Sequence, residues 1–197
     1  MGEIILCRHA ITAVNAENRF LSRTDAPLND EGRRQSTLLG ERLRSMRIDR
    51  CFVSPMKRCM ETLSLALPDC KPMLVRQELR EVDFGDWELL TAEEIEERWP
   101  GMLAQRRGSP VQFRPPGGES FADVAVRLTP LLDELHEGNV LVVSHRGTLG
   151  ALERLVRGLP LDYREIASME PAGLHVVSES DVPGRTSPSG VSNTSLQ

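Results

Sequence analysis

Short, wholly apolar runs alternate along the chain with longer stretches in which apolar residues recur every three or four positions. Runs such as 4–7 and 140–143 are typical of strands that are buried on both faces of a sheet. One longer stretch is rich in Arg and Glu on one side and has four apolar residues spaced for the other side, Leu38, Leu39, Leu43 and Met46. Strands that alternate with helices predict an α/β fold of three layers, α/β/α, around a mostly parallel central sheet.

The same pattern assigns the individual elements. Proline, glycine and capping residues indicate most of the boundaries, and Ser120 with Asp123 forms a capping-box variant. Residues 78–88 are predicted to be loop. Strands are predicted over 1–8, 49–53, 72–76, 139–143 and 174–177. Two helices are predicted to begin near 27–32 and at 54–55. Further helices are predicted to cover 91–108, with a break at 100–101, then 120–136 and 148–156.

Two segments depart from the alternation. Residues 90–118 are strongly charged, with a helical pattern that gives way to a Pro- and Gly-rich loop after 108. This segment is expected to be an insertion that forms a lid or side wall within a single domain over 1–180. From 181 to 197 the chain consists mainly of Pro, Gly, Ser, Thr and Asn, and this composition predicts a disordered tail.

The bulk composition limits the partners. The chain has 197 residues and a formal net charge of −5, which argues against general binding to nucleic acid or to an anionic membrane. No apolar run is long enough to span a membrane. The apolar start is too short for a signal peptide and lacks a basic leader. These features predict a cytoplasmic protein.

The four cysteines are expected to be reduced. None of them forms a CxxC pair, and two lie within predicted buried strands. This arrangement is typical of cytoplasmic proteins and favours neither a disulfide framework nor a zinc site. The residues in question are Cys7, Cys51, Cys59 and Cys70.

Two histidines follow two of the predicted strands. Arg8 and His9 come directly after the first apolar run, and His145 and Arg146 follow Ser144 at the end of the run over 140–143. Ligands of open α/β sheets bind at the carboxyl ends of the strands. The two imidazoles and their neighbouring guanidinium groups therefore predict a pocket for a phosphoryl group.

Three further stretches contain polar residues that could join this pocket. They are 54–62, which includes Arg58, 79–88, which includes Glu81, and 116–120. Taken singly, none is specific. A lone histidine at a strand end is more often structural, Arg58 would by default be a surface cation, and Glu81 would by default be solvated.

Taken together and in this order, the stretches resemble the histidine phosphatase superfamily, the phosphoglycerate mutase-like proteins, over nearly the whole chain to about residue 177. The resemblance implies a nucleophilic histidine, phosphate-clamping arginines, a second histidine and a catalytic acid. In this sequence His9 matches the nucleophilic histidine, and Arg8 and Arg58 match the phosphate-clamping arginines. His145 matches the second histidine, Glu81 the catalytic acid, and Asn15 a polar residue of the phosphate pocket. Thr12, in the first stretch, is also expected in the substrate pocket.

The chemistry of these residue types agrees with the resemblance. A neutral imidazole at His9 is a good nucleophile toward phosphorus, and neighbouring cations favour its neutral form. One guanidinium group can donate two parallel hydrogen bonds to phosphate oxygens, so arginines could replace the metal ions that usually balance phosphate charge. His145, if protonated, adds donors to the same charge. Glu81 would protonate the leaving oxygen and then deprotonate the attacking water. No metal and no cofactor are therefore expected.

The sequence departs from the family pattern at four positions. Ala10 and Ile11 stand where the family often has Gly and Glu, and Leu21 removes a polar contact that many members have. Arg146 stands where Gly is usual. Two interpretations of Arg146 remain open: a contact with phosphate or substrate, and a surface salt bridge.

Residues 81–88 resemble the phosphatase branch, including α-ribazole phosphatase and broad-specificity members. The predicted function is a metal-independent phosphomonoesterase that acts on a small phosphorylated metabolite through a phosphohistidine. The alternatives are a phosphoglycerate-type mutase and a non-catalytic phosphate-binding relative. The first strand is not followed by a GxGxxG turn, which argues against a dinucleotide-binding oxidoreductase. The substrate remains open among α-ribazole phosphate, phosphosugars, nucleotides and phosphoserine, and the chain could be a monomer or a homodimer.

Overall fold

Five strands form one sheet in the computed structural model, which describes residues 2–164, 169–178 and 181. The sheet order is β3–β2–β4–β1–β5, where β1 to β4 are parallel and β5 runs antiparallel to β1. In chain order the strands are β1 (Ile4–Arg8), β2 (Arg50–Val53), β3 (Met73–Val75), β4 (Val140–Ser144) and β5 (Leu174–Val177).

Helices cover both faces of this sheet. Ile5 and Cys7 of β1 pack with the first pair of long helices, and Ile4 and Leu6 pack with the helices of the opposite face. The three-layer α/β/α fold predicted from the sequence is therefore confirmed. The helices are α1 (Ala13–Ala16), α2 (Asp30–Leu43) and α3 (Lys57–Ala66), then α4 (Ala92–Arg98) and α5 (Met102–Gly108), then α6 (Phe121–Leu128), α7 (Leu132–Leu135) and α8 (Arg146–Val156).

Several boundaries differ from the prediction for identifiable reasons. The helix predicted over 120–136 is divided into α6, a 3₁₀ turn over Thr129–Leu131 and α7, because Pro130 lacks the N–H that a continuous helix needs. Its capping box of Ser120 and Asp123 is present as predicted. Helix α8 begins at Arg146, two residues before the predicted start, and its cap comes from a distant part of the chain.

The prediction of four reduced cysteines is wrong for one pair. Cys51 and Cys70 form a disulfide across a sequence separation of 19 residues. The parallel pairing of β2 with β3 brings Cys70, three residues before β3, back beside Cys51 near the start of β2. A search for CxxC spacing misses such a pair. Cys7 and Cys59 are free and buried, and burial raises the pKa of the Cys7 thiol to about 12.

The charged segment forms two short helices beside the carboxyl end of the sheet. Its predicted break falls between α4 and α5, where Gly101 has a φ of +80°. That conformation is readily available only to glycine. The predicted disordered tail lies outside the described residues except for Asp181. Within the described part of the chain, no helix is long and apolar enough to cross a membrane.

Candidate active site

The two histidines of the sequence pattern meet at the carboxyl ends of β1 and β4. Arg8 pairs with Ser144 in the parallel register, and the backbone N–H of His9 donates to the Ser144 carbonyl at 2.9 Å. The rings of His9 and His145 lie with their centroids 5.1 Å apart, and both side chains are buried. Strands that are distant in sequence but adjacent in the sheet thus bring both imidazoles to one place.

The tautomer of His9 is fixed by the backbone. Its Nδ1 lies 2.7 Å from the Ala10 carbonyl oxygen, which can only accept, so Nδ1 carries the proton. The Nε2 lone pair is then left on a ring that lines the cleft. Burial, followed by the charges of Arg58 and Arg8, lowers the pKa of His9 from 6.5 to about 3. His9 is therefore a neutral imidazole near neutral pH, as a nucleophile must be.

His145 is held by side chains on both ring nitrogens. The Arg58 Nε–H donates to His145 Nδ1 at 3.2 Å, and because arginine cannot accept, the ring proton belongs on Nε2. His145 Nε2 then donates to the Ser54 hydroxyl at 2.9 Å. Burial, and next the charge of Arg58, lowers the pKa of His145 well below its ordinary value. The protonated form considered from the sequence is thus disfavoured in the structure.

Arg58 is fully buried and joins several parts of the site. Besides contacting His145, its guanidinium donates to the carbonyl oxygens of Ser22 at 2.9 Å and Thr24 at 3.0 Å. The default interpretation of Arg58 as a surface cation is therefore wrong. Three of its five N–H donors are engaged by the protein, so at most two remain for a phosphate oxygen.

Arg8 has a donor without a partner. Its Nη1 donates to the Met169 carbonyl at 3.0 Å, whereas its Nε is buried without a hydrogen-bond partner among the described residues. A buried donor without a partner is costly, and an anion oxygen would satisfy it. Burial lowers the pKa of Arg8, while the charge of Glu81 raises it. Arg8 thus fits the phosphate-binding role that the resemblance implies.

Glu81 caps the first turn of α8. Its Oε2 accepts from the Gly147 N–H at 3.2 Å, and its Oε1 accepts from the Thr148 N–H at 3.1 Å and from the Val82 N–H at 3.0 Å. The N-cap residue His145 provides no side-chain cap of its own. A carboxylate is stabilised at a helix N-terminus, so this contact explains both the early start of α8 and the fixed position of Glu81.

Gly147 is required for this contact. A Cβ on Gly147 would lie 2.8 Å from Glu81 Oε1 and 2.6 Å from Val82 Cγ2. We expect Gly147→Ala to displace the carboxylate and to lower kcat by about 10²-fold, as small misplacements of catalytic groups do. Gly108→Ala is the matched control, because a Cβ there has no neighbour within 4 Å among the described residues. Steady-state kinetics of the two variants would refute the expectation if their kcat values were equal.

Arg127 of α6 fixes the loop that contains Glu81. Its Nη2 donates to the carbonyl oxygens of Arg80 at 2.9 Å and Glu81 at 3.2 Å, and its Nη1 donates to the Glu78 carbonyl. Its Nε pairs with Glu119 at 3.3 Å. Nothing in the sequence points to Arg127, because a single arginine on an amphipathic helix has no distinguishing pattern.

Thr12 and Asn15 form a capping box at α1. The Thr12 hydroxyl accepts from the Asn15 N–H at 3.2 Å and donates to Asn15 Oδ1 at 3.0 Å. Thr12 is fully buried and is not part of the cleft wall, which corrects its expected place in the substrate pocket. Asn15 does line the cleft. The structure therefore gives Thr12 the task of holding Asn15.

Arg146 is exposed at the first position of α8 and lines the cleft. Within the described part of the chain it has no ion-pair partner, so the surface salt bridge considered from the sequence is not observed there. Its charge lowers the pKa of Arg8, although burial lowers that pKa more. Arg146 thus adds positive charge close to the half-buried Arg8.

The cleft has a volume of about 970 Å³, which suits a small metabolite. Its floor contains Arg8, His9 and Glu81, and α5 of the charged segment supplies one wall. On that wall, the Arg106 guanidinium lies 5.4 Å from the ring centroid of Phe20 and 5.5 Å from that of Phe84. The sequence does not distinguish Arg106 from its neighbours, because a charged segment does not indicate which of its cations faces the cleft.

The arrangement can perform phosphoryl transfer to nitrogen. A neutral imidazole, the half-buried Arg8, whose Nε has no partner among the described residues, and the carboxylate of Glu81 meet at one surface of the cleft. Groups of these three types are chemically able to serve as a nucleophile, a charge stabiliser and an acid–base residue. Among the described residues, no group of three or more His, Cys, Asp or Glu side chains is placed to hold a metal ion.

The lowered histidine pKa predicts an acid-sensitive fold. Between pH 6.5 and 3 the unfolded chain binds a proton at His9 that the folded protein does not, so stability rises with pH in this window and is lost on acidification. From pH 7 to 4 we expect His9 to remove about 3 kcal/mol from the free energy of unfolding. Urea unfolding of wild type and His9→Gln should give a smaller loss for the variant. Parallel pH dependences would contradict the prediction.

Comparison with known proteins yields consistent matches over most of the chain. Residues 4–184 match the family model described as histidine phosphatase superfamily (branch 1). A glucosyl-3-phosphoglycerate phosphatase of Mycolicibacterium vanbaalenii is 32% identical over 172 residues, which are 81% of this chain and 76% of that protein. A 2,3-bisphosphoglycerate-dependent phosphoglycerate mutase 1 of Gloeobacter violaceus is 28% identical over 221 residues, covering 92% and 94%.

A solved structure agrees with these sequence matches. The structure of a mycobacterial glucosyl-3-phosphoglycerate phosphatase with VO3 superposes with a TM-score of 0.83 at 28% identity. The match covers 90% of this chain and 93% of that one. The similar proteins thus include both phosphatases and a mutase.

Proposed function

Because the chain belongs to branch 1 of the histidine phosphatase superfamily, we propose that it is a metal-independent phosphomonoesterase that acts on a small phosphorylated metabolite through a phosphohistidine at His9. The observation that supports this most strongly is the state of His9. Its Nδ1–H is held by the Ala10 carbonyl, and its ring lines a cationic cleft in the neutral form. That is the form in which an imidazole attacks phosphorus.

In the first step His9 Nε2 attacks the phosphorus atom of the monoester. The new N–P bond forms as the bond from phosphorus to the ester oxygen breaks. That oxygen takes a proton from Glu81, which enters this step as the protonated carboxylic acid. The Ala10 carbonyl accepts from Nδ1–H and stabilises the positive charge that develops on the ring. Arg8 stabilises the charge on the phosphoryl oxygens through its Nε–H, which has no partner in the described part of the chain.

In the second step water attacks the phosphohistidine. Glu81, now a carboxylate, takes a proton from the water, the N–P bond breaks and His9 regains its lone pair. The three backbone N–H groups that donate to Glu81 hold its oxygens in one position for both steps. Inorganic phosphate and the dephosphorylated alcohol are the products.

A mutase is the second candidate, because a phosphoglycerate mutase is among the similar proteins. The two functions share the phosphohistidine and differ in whether water or a second substrate hydroxyl receives the phosphoryl group. A non-catalytic phosphate-binding relative would bind phosphate and turn nothing over. Phosphate release separates the phosphatase from both alternatives.

We also propose a cytoplasmic location and a small-molecule partner. Disulfides are rare in the cytosol, so the Cys51–Cys70 bond is unusual for this location. Subcellular fractionation tests the proposal. We expect the protein in the cytosolic fraction, and its recovery from an oxidising compartment would contradict the proposal.

The function is tested by phosphate release from a panel of phosphomonoesters in excess EDTA. We expect release from several monoesters at rates unchanged by the chelator, and the ranking of the panel would identify the substrate class. Release that requires added metal would overturn the metal-independent mechanism. No release from any monoester, with interconversion of phosphoglycerates, would establish the mutase instead.

A further inference from the structure

The carbonyl groups that hold Arg58 belong to a bend of the chain over residues 22–24, outside any helix or strand. Within the described part of the chain, neither Ser22 nor Thr24 takes part in a backbone–backbone hydrogen bond. Their carbonyl oxygens accept from the two terminal nitrogens of Arg58 at 2.9 and 3.0 Å. Because the bend has no backbone pairing, another group has to satisfy its N–H donors and keep these carbonyls in place.

That group is the carboxylate of Glu88. It accepts from the N–H of Ser22 at 3.0 Å and from the N–H of Thr24 at 2.9 Å, and the Ser22 hydroxyl also donates to it. In the described part of the chain, all hydrogen bonds that this carboxylate accepts come from the bend. The N–H groups of the bend therefore face a negative charge, and its carbonyl groups face a positive one. Hydrogen bonds to charged groups are stronger than those between neutral groups.

Glu88 is attached to the hydrophobic core through its neighbour. It directly follows a 3₁₀ turn over Gly85–Trp87, and Trp87 is fully buried. The ring centroid of Trp87 lies 5.3 Å from that of Phe113 and 5.8 Å from that of Phe20. The carboxylate therefore has a fixed support from which it can hold the bend.

The position of the bend determines which donors of Arg58 are open to a ligand. Each of the two carbonyls takes one N–H from a terminal nitrogen, and Nε donates to His145, so one N–H on each terminal nitrogen remains. A displaced bend would reorient both remaining donors. Burial lowers the pKa of Arg58, whereas nearby carboxylates, Glu88 among them, raise it. The charge of Glu88 thus also favours the guanidinium form of Arg58.

We propose that Glu88 is a positioning residue for phosphoryl transfer, which acts through the 22–24 bend on the guanidinium group of Arg58. The inference rests on the proposed phosphatase function, in which Arg58 holds phosphate oxygens. Glu88 lies in the same stretch, 79–88, as Glu81. One loop would then both supply the acid–base residue and orient an arginine of the phosphate site.

A double-mutant cycle tests the proposal. Glu88→Gln keeps the size of the side chain and removes its charge and one acceptor oxygen, so it should lower kcat/KM for the best monoester by about 10- to 100-fold. In an Arg58→Ala background the same substitution should change kcat/KM by less than about 3-fold, because the group through which Glu88 acts is gone. Equal losses in the two backgrounds would overturn the proposal.

Asp86→Asn is the matched control. Asp86 lies in the same 3₁₀ turn, is exposed, and its side chain makes no hydrogen bond or ion pair within the described part of the chain. Its substitution removes one carboxylate charge without contact to the bend, so kcat/KM should stay at the wild-type value. A loss equal to that of Glu88→Gln would show a general effect of loop charge and overturn the proposal.

A second measurement keeps Arg58 in place, because this residue is fully buried and its removal leaves a space in the core. Exchange of the Arg58 Nε–H with solvent, followed by ¹⁵N NMR, reports on how firmly the guanidinium is held and needs no turnover. We expect exchange at least about 10-fold faster in Glu88→Gln and unchanged in Asp86→Asn. Unchanged exchange in Glu88→Gln would overturn the proposal. Absence of phosphate release by wild type would instead count against the proposed function.

Discussion

Replacement of His9 by alanine is expected to lower kcat by at least about 10⁴-fold, as the loss of a catalytic nucleophile does in other enzymes. His9 Nε2 is the atom that forms the bond to phosphorus in the proposed mechanism, and its lone pair is available because the Ala10 carbonyl holds the proton on Nδ1. Phosphate release under saturating substrate measures the effect. His136→Ala is the matched control, because His136 lies outside the cleft wall and should keep full activity.

The His9 variant has to be folded for this result to count. His9 is buried, so circular dichroism and urea unfolding should accompany the kinetics. Because His9 is a neutral buried group, its loss should change the pH dependence of stability while leaving the native fold formed near pH 7. A folded His9→Ala protein with half of the wild-type activity would show that another group attacks phosphorus.

Replacement of Glu81 by glutamine should have the second largest effect, and its size should depend on the leaving group. With alkyl phosphates we expect a loss of about 10²- to 10⁴-fold in kcat, the usual contribution of a general acid–base residue. An aryl phosphate has a leaving group that departs without a proton. Its first step should stay fast in the variant, whereas hydrolysis of the phosphohistidine should be slow, because it still needs a base.

Stopped-flow measurement with an aryl phosphate tests this expectation. Glu81→Gln should give a burst of about one phenol per active site, followed by slow turnover. The glutamine side-chain oxygen can still accept from a backbone N–H at the start of α8, so the helix cap is partly retained. Equal losses for alkyl and aryl substrates without a burst would remove Glu81 from the acid–base role.

The fold could be predicted because its signals are local and strong. The apolar runs that became β1 and β4 are buried throughout, and such runs admit few alternatives to a central strand. The ends of the helices were harder to predict from the sequence. The start of α8 depends on Glu81, which lies 66 residues away in sequence from Gly147, and no local pattern reports such a cap.

The sequence predicts those site residues that directly follow a strand. It does not predict residues whose place in the site depends on tertiary contacts. His9 and His145 follow adjacent parallel strands, so their proximity is a consequence of the topology. Arg127 acts through hydrogen bonds to a loop carbonyl, and Arg106 is defined by the two rings beside it. Both lie on helices where an arginine is ordinary, so only the packed structure distinguishes them.

Thr12 shows the opposite error. Its position beside the first motif favoured a substrate contact, but its hydroxyl is used within the capping box of α1. The Cys51–Cys70 disulfide was missed for a related reason, because its partners become neighbours only when β2 pairs with β3. In both cases the spacing along the sequence suggested a role for the residue, whereas its actual partner becomes a neighbour only in the folded chain.

The most direct measurement is identification of the covalent intermediate. Wild-type and His9→Ala protein would be mixed with a phosphomonoester, quenched in alkali within milliseconds and analysed by ³¹P NMR and peptide mass spectrometry. We predict one acid-labile, alkali-stable phosphoryl group on Nε2 of His9, because Nδ1 is engaged by the Ala10 carbonyl, and none in the variant. A phosphoryl group on another residue, or turnover with no phosphoenzyme in either wild type or Glu81→Gln, would contradict the mechanism.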